Sequence, residues 1–422
     1  MLHVLEVLFG AELLSRRRWV FLVMGIGLLT FPALIMIYII DALEGESFLI
    51  PGLEHAVLLF SSIICIGLAH SLYKDIANFR SSLWAILPQL LFFLSLIMLT
   101  LTLLWDTGAE WFSAWGVLFG ATMILSGGLT LTGSFVKKNT DKAASFYGIF
   151  NIVSGLVLVI PSPLSGKLNI DFIASVVLVR VGVTLLIAYF TYHPSNLVKN
   201  INNQIQRNSQ AGLDDIQPES ILTLWFWLPY GNLPQALRVP IISRYWIAMS
   251  SSSGVVSVGH VSFEVANQIY ASIYPKHDPV EGRKGEGIVR RIIDSCNNKA
   301  KLISGFWADP EHDRTHRGTP THRIDIPITN PSSLKRYWDQ YSQTSDYHLV
   351  RRNCALTSIS LLEASISGVF KHRNFLPTLL RLMVSFQFWN MVHAYFRAQS
   401  TLWSPGVALD YAHSAAQLVK HH

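Results

Sequence analysis

Cysteine and charge are what this sequence has least of. Three cysteines in 422 residues (Cys65, Cys296 and Cys354) are too few and too scattered for a disulfide framework or a zinc cage. Charged residues make up 14 % of the chain, against about 25 % in a soluble domain. That shortage excludes a disordered, collagenous or ordinary cytosolic chain. What is present instead is apolar: half the residues are hydrophobic and the mean hydropathy is +0.35. The length suits roughly two to three domains.

The formal charge of +6 is unevenly spread. Residues 1–192 hold 10 Lys and Arg against 11 Asp and Glu, whereas residues 193–422 hold 23 against 16. Twelve of the fifteen histidines lie in the second part. A sparsely charged half is thus joined to a basic, His-rich half.

In the first half, six apolar stretches stand out, at 19–40, 55–72, 83–105, 112–136, 144–161 and 172–191. Each approaches the ~20 residues that carry a helix across ~30 Å of hydrocarbon. The first is too long for a cleavable signal peptide and lacks a small-residue cleavage site. Nine bases (Arg16, Arg17, Arg18, Lys74, Arg80, Lys137, Lys138, Lys142 and Lys199) fall on one set of flanks and Lys167 alone on the other. The positive-inside rule then expects both termini, and the basic half, in the cytoplasm. Arg180 is the one strong charge within a stretch, either a packing residue or a functional one. Without a chain of acids beside it, a proton-coupled transporter is not indicated.

A weak repeat runs through these stretches. Gly25-Ile-Gly27 precedes Pro32, and Gly148 and Gly155 precede Pro161; partner stretches carry Gly67 and Gly182, and the middle pair Gly127, Gly128 and Gly133. Small residues let helices approach closely. This three-hairpin pattern over residues 15–192 resembles the HdeD family of bacterial inner-membrane proteins, associated with acid resistance.

The second half reads differently. Residues 193–220 form a polar linker, followed by an apolar, aromatic piece from Leu222 to Tyr230 that is too short to span. β-type runs follow at 237–243, 244–249, 255–265 and 269–274, with another at 323–328. Helices are expected at 332–342 and from 353 to 367, giving an α+β domain. The run from Asp309 to His322, dense in Pro, Gly, Thr and charge, reads as a solvated loop, with His312, His316 and His322 as a weaker metal reading. Residues 375–396 suit an amphipathic helix on the domain or in a membrane interface, or a seventh span.

Two segments carry chemistry. The strand around Gly259-His260-Val-Ser262-Phe-Glu264 places His260, Ser262 and Glu264 on one face. Downstream, Arg351-Arg352-Asn353-Cys354-Ala355 opens a helix, where free N–H groups, the helix dipole and the two arginines would stabilise a thiolate. An imidazole is the usual partner of such a nucleophile. Should 257–265 and 269–275 pair as a hairpin about Asn267, Ser262 faces Ser272 and His260 faces Tyr274. The third group is then Ser272, Tyr274, Tyr270 or Glu264.

These motifs, Gly-His-x-Ser, Tyr270-x-Ser272-x-Tyr274-Pro275 and Asn353-Cys354-Ala355, resemble in order the circularly permuted papain-like fold over residues 238–370. That group includes permuted NlpC-type peptidases, YiiX-like proteins and lecithin–retinol acyltransferase relatives. The resemblance implies Cys354 as nucleophile and His260 as general base, with Ser272 favoured as the third group by its place in the motif.

The expected organisation is a six-span membrane domain at 1–192, a linker and entry segment at 193–235, a cytoplasmic papain-like thiol hydrolase domain at 236–370 and a helical extension at 371–422. The expected function is a membrane-anchored cysteine hydrolase or acyltransferase of the bacterial inner membrane, linked to acid or envelope stress. Its partners would be the bilayer and an acyl-lipid or peptide substrate, with no cofactor, no metal and no nucleic acid. The competing reading is a non-enzymatic acid-resistance protein whose His-rich half is a pH-sensitive binding module.

Overall fold

The computed structural model describes residues 1–44, scattered positions from 120 to 131, 142–159, 179, 181–190, 220–229, 244–245, 248–249, 256–266, 268–276, 303–348, 352–383, 385–400 and 402–420. Strand β1 (Ile221–Trp227), which the sequence marks only as a short apolar piece, lies inside the main sheet. Its sequence, ILTLWFW, hides the period of two because both faces are apolar or aromatic. The polar edges on the outer face are bonded across the sheet: Thr223 Oγ1 donates to Asp325 at 2.8 Å and Trp225 Nε1 to Glu264 at 2.6 Å. Leu222, Leu224 and Phe226 point the other way, into the core.

Two short strands, β2 (Ala248–Met249) and β3 (Val256–Ser257), form a separate ribbon. On either side of β1 lie β4 (His260–Val265) and β8 (His322–Pro327), both antiparallel to it, and β5 (Ile269–Ala271) adds an edge beyond β4. A second ribbon pairs β6 (Ile273–Pro275) with β7 (Gly305–Trp307). Gly305 permits that pairing, since a Cβ there would stand 2.3 Å from the Ser345 carbonyl oxygen.

Helices pack around the sheet. At the N-terminal end come α1 (Leu2–Phe9), α2 (Ala11–Arg16) and α3 (Arg18–Glu44), and later α4 (Lys142–Val159). Past β7 follow α5 (Pro310–Arg317), α6 (Pro331–Tyr341) and α7 (Cys354–Ile366). The residues expected to form one helix at 375–396 divide into α8 (Phe375–Met383) and α9 (Phe386–Ser400), with Ser385 Oγ accepting from Phe388 N at the break. Both helices bury apolar residues in the core. Last comes α10 (Pro405–Lys420), buried along nearly its whole length.

The N-terminal helices share this core. α1 hydrogen-bonds the turn after α7 through Gly368 N to Val7 O at 2.7 Å and Phe370 N to Leu8 O at 2.9 Å. Phe9 meets Phe370 and Phe375 edge-on, and Phe21 of α3 meets Phe375 at 5.9 Å.

The six-span reading is corrected. Among the described residues, no helix is long and apolar enough to cross a membrane. The expected multi-pass placement in a bacterial inner membrane, with cytoplasmic termini and domain, rested on those spans and falls with them. An apolar run reads the same whether protein or lipid covers it. Here Val20 and Phe21 enter the common core. Gly25 and Gly182 bring α3 against the helical residues 181–190, where added methyls would meet Leu186 and Leu29. Gly148 and Gly155 of α4 pack likewise against Leu131 and Ile124. These four glycines therefore serve helix–helix packing, whereas a Cβ at Gly27 or Gly128 would meet nothing. The stretches 55–72 and 83–105, the strand 237–243, and Arg180, Arg351, Cys65 and Cys296 lie outside the described residues.

Candidate active site

The site begins at a glycine. Gly259 has φ 75°, and a Cβ there would stand 2.5 Å from the Trp227 carbonyl oxygen. Without a side chain, β4 can start tightly against the end of β1. Alternation then sends Val261, Phe263 and Val265 into the core and His260, Ser262 and Glu264 to the other face.

The hairpin register is the one expected, with Phe263 opposite Ala271, Glu264 opposite Tyr270 and Val265 opposite Ile269. At Ser272 the chain leaves β4 and continues as β6. That break sets Ser272 Oγ 2.8 Å from His260 Nε2. The imidazole stacks on Tyr274, with centroids 4.3 Å apart, and tilts against Trp227 at 5.8 Å. Its Nδ1 has no hydrogen-bond partner among the described residues. Burial drives the His260 pKa well below the ordinary imidazole value, and the nearby Arg317 and His312 add to the effect. The ring is neutral at physiological pH.

Cys354 takes the first position of α7. Asn353 caps that helix, its Oδ1 accepting from Leu356 N at 2.7 Å while its Nδ2 donates to Trp403 O at 2.9 Å. The cysteine is 9 % exposed and packs with Ile273, Tyr347 and Trp307. Burial raises its pKa; hydrogen bonds from the Val261 and Ala355 N–H groups and the field of Arg317 oppose this without cancelling it. Cys354 thus rests as a thiol beside the strand residue that follows His260.

Burial thus opposes the thiolate that the helix terminus favours. Arg352 does not supply the expected charge either. Its guanidinium binds Thr344 Oγ1 and the carbonyls of Tyr341 and Thr344, and lies over the Tyr341 ring.

The expected loop at 309–322 contains α5 and a residue that sequence reasoning missed. Asp309 caps the helix by accepting from His312 N at 2.7 Å, and Pro310 occupies its first turn. These are helix-start signals, and they sit in the run that reads as a loop. Asp313 on this helix is 1 % exposed. Its Oδ2 accepts from the Tyr270 hydroxyl and its Oδ1 from the Tyr274 hydroxyl, both at 2.6 Å. Oδ1 also lies 3.8 Å from His260 Nε2. Burial holds both tyrosines above the usual phenol range, so they stay protonated as donors. One turn on, Arg317 Nε donates to the Tyr274 hydroxyl at 3.3 Å. The helix is fastened at both ends: Ala308 N donates to Ser272 O, and Trp227 Nε1 to Gly318 O.

Of the other candidates, Glu264 is tied to Trp225, and Tyr270 reaches Ser262 Oγ as well as Asp313. His312 and His316 stack one turn apart at 3.8 Å, while His322 begins β8 beside Thr321. Among the described residues, no group of three or more His, Cys, Asp or Glu is placed to hold a metal ion. Neither a protein-family model, nor a curated protein, nor a solved structure matches the chain, and its chemistry rests on these residues.

Proposed function

We propose that the chain is a cysteine hydrolase or acyltransferase that opens an amide or ester through Cys354 and His260, with Ser272 completing the site. The observation that carries this reading is a buried, neutral imidazole engaged at Nε2 by Ser272 and unengaged at Nδ1, on the strand that Cys354 packs against. The resemblance to permuted papain-like enzymes assigns the same roles.

With Nε2–H donating to Ser272 Oγ, Nδ1 carries the lone pair. It takes the thiol proton as Sγ bonds to the carbonyl carbon and the C=O π pair moves to oxygen. The backbone N–H of Cys354, at the first position of α7, would hold that oxyanion. Collapse expels the amine or alcohol, which receives the proton from the imidazolium, and leaves a thioester. Water or another acceptor, deprotonated by His260, then releases the acyl group and the thiol.

Labelling with iodoacetamide or an acyl-directed probe at neutral pH tests this, in a background with Cys65 and Cys296 replaced by serine. Cys354 is expected to label in that background, and Cys354→Ala to lose the signal. His260→Ala should slow labelling by about 10²–10⁴. Equal labelling with and without Cys354 would overturn the reading.

A further inference from the structure

A proton arriving on His260 creates a cation in a site where Ser272 offers only a neutral oxygen. A carboxylate stands beside it, which Arg317 reaches only through the Tyr274 hydroxyl. Among the described residues, His260 is the only basic group within ion-pair reach of Asp313. The Asp313 oxygens are held by two hydroxyls instead, at 2.6 Å each. A separation of 3.8 Å is too long for a hydrogen bond. In a buried site it is short enough for a strong charge–charge interaction.

We propose that Asp313 is the positioning carboxylate of this site, holding the His260 imidazolium by its charge and the ring plane through Tyr274. The inference rests on the reading of Cys354 and His260 as a hydrolytic pair. Tyr274 is suited to the second task, because the ring that stacks on His260 is the one whose hydroxyl Asp313 and Arg317 fix. The titratable groups facing His260 are Asp313, Arg317 and His312 from α5 and Tyr274 from β6. Tyr270 on β5 reaches it only through Asp313, and Glu264 on its own strand is turned to Trp225. Arg317 and His312 disfavour the imidazolium, and Asp313 is the one facing group of opposite sign. On this reading, removing that charge lowers the His260 pKa further and makes it a weaker base.

The test combines an NMR titration of His260 with the pH profile of iodoacetamide labelling at Cys354. In Asp313→Asn the His260 pKa is expected to fall, the acid limb of labelling to move to lower pH and the plateau to drop about tenfold per pK unit. Asp313→Glu, which keeps the charge, should restore the wild-type acid limb. If Asp313→Asn titrates and labels like wild type, Asp313 is a fold element and the inference is wrong. It is equally wrong if Asp313→Glu loses both readouts as fully as Asp313→Asn. If wild-type Cys354 never labels, the hydrolytic reading itself fails and takes this one with it.

Discussion

Two buried aspartates in this molecule are satisfied in opposite ways. Asp410 on α10 is matched by cations: Arg244 Nη2 reaches its Oδ1 at 2.8 Å, the Tyr245 hydroxyl donates to Oδ2 at 2.8 Å and Arg397 stands 3.9 Å away. Asp313 on α5 has hydroxyl donors and a neutral histidine. A carboxylate closed by arginine is already neutralised and serves the fold. One solvated by hydroxyls keeps its field for a neighbour whose charge comes and goes. The same residue type thus closes an ion pair under α10 and is held by hydroxyls beside β4.

The contrast breaks most strongly at Arg244. Arg244→Met leaves Asp410 buried with one hydroxyl and a distant guanidinium, and should cost about 3–5 kcal/mol. A urea midpoint equal to wild type would show that the pair is not a structural anchor. A smaller loss is expected from Tyr270→Phe, which removes one of two donors from a buried carboxylate, about 1.5–3 kcal/mol. If the denaturation midpoint is unmoved, Asp313 is better hydrated than its burial indicates. Asp309→Ala deletes the cap of the helix that delivers Asp313, at about 1 kcal/mol. Iodoacetamide labelling of Cys354 should slow alongside, and an unchanged rate would separate α5 from the site.

The pH dependence of stability separates the histidines. Burial lowers the pKa of His260, His322 and His413 in the folded protein. Their contribution is full above the ordinary value of about 6.5 and is lost as pH falls below it. His3 has the opposite sign. Burial works against its proton, but the bond to Glu363 at 2.9 Å and the charges of Glu363 and Glu6 win, and its pKa is raised. Its contribution is full below about 6.5 and is lost as pH rises through the folded value. Thermal unfolding should therefore shift down in acid, and slightly more steeply in His3→Gln. The half-exposed position of His3 makes this the smallest of the four effects. A shallower acid slope in the variant would contradict the sign.

Local pattern makes part of this site readable. The glycine before His260, the Tyr270–Pro275 motif and the Asn353 cap all describe backbone within a few residues, and the structure brings His260 and Ser272 into contact. Asp313 is hidden because it lies in a run of Pro, Thr and charge, although its spacing to Arg317 is one helical turn. β1 is hidden because apolar residues on both faces erase the alternation that marks a strand. The state of the Cys354 sulfur depends on how deeply tertiary packing buries it, which no neighbouring residue encodes. The six-span reading fails on helix length and hydropathy among the described residues, which an apolar run in the sequence does not by itself fix.

The docking of α1 also bears on how the chain is made. His3 and Glu363 are 360 residues apart. At about 5–20 residues per second of synthesis, His3 is on the nascent chain for roughly 20–70 seconds before Glu363 is added. Through that interval Val4, Leu5, Leu8 and Phe9, all fully buried in the finished protein, have no access to α7. This part of the core therefore closes late, and α1 needs temporary cover while the residues up to α7 are translated.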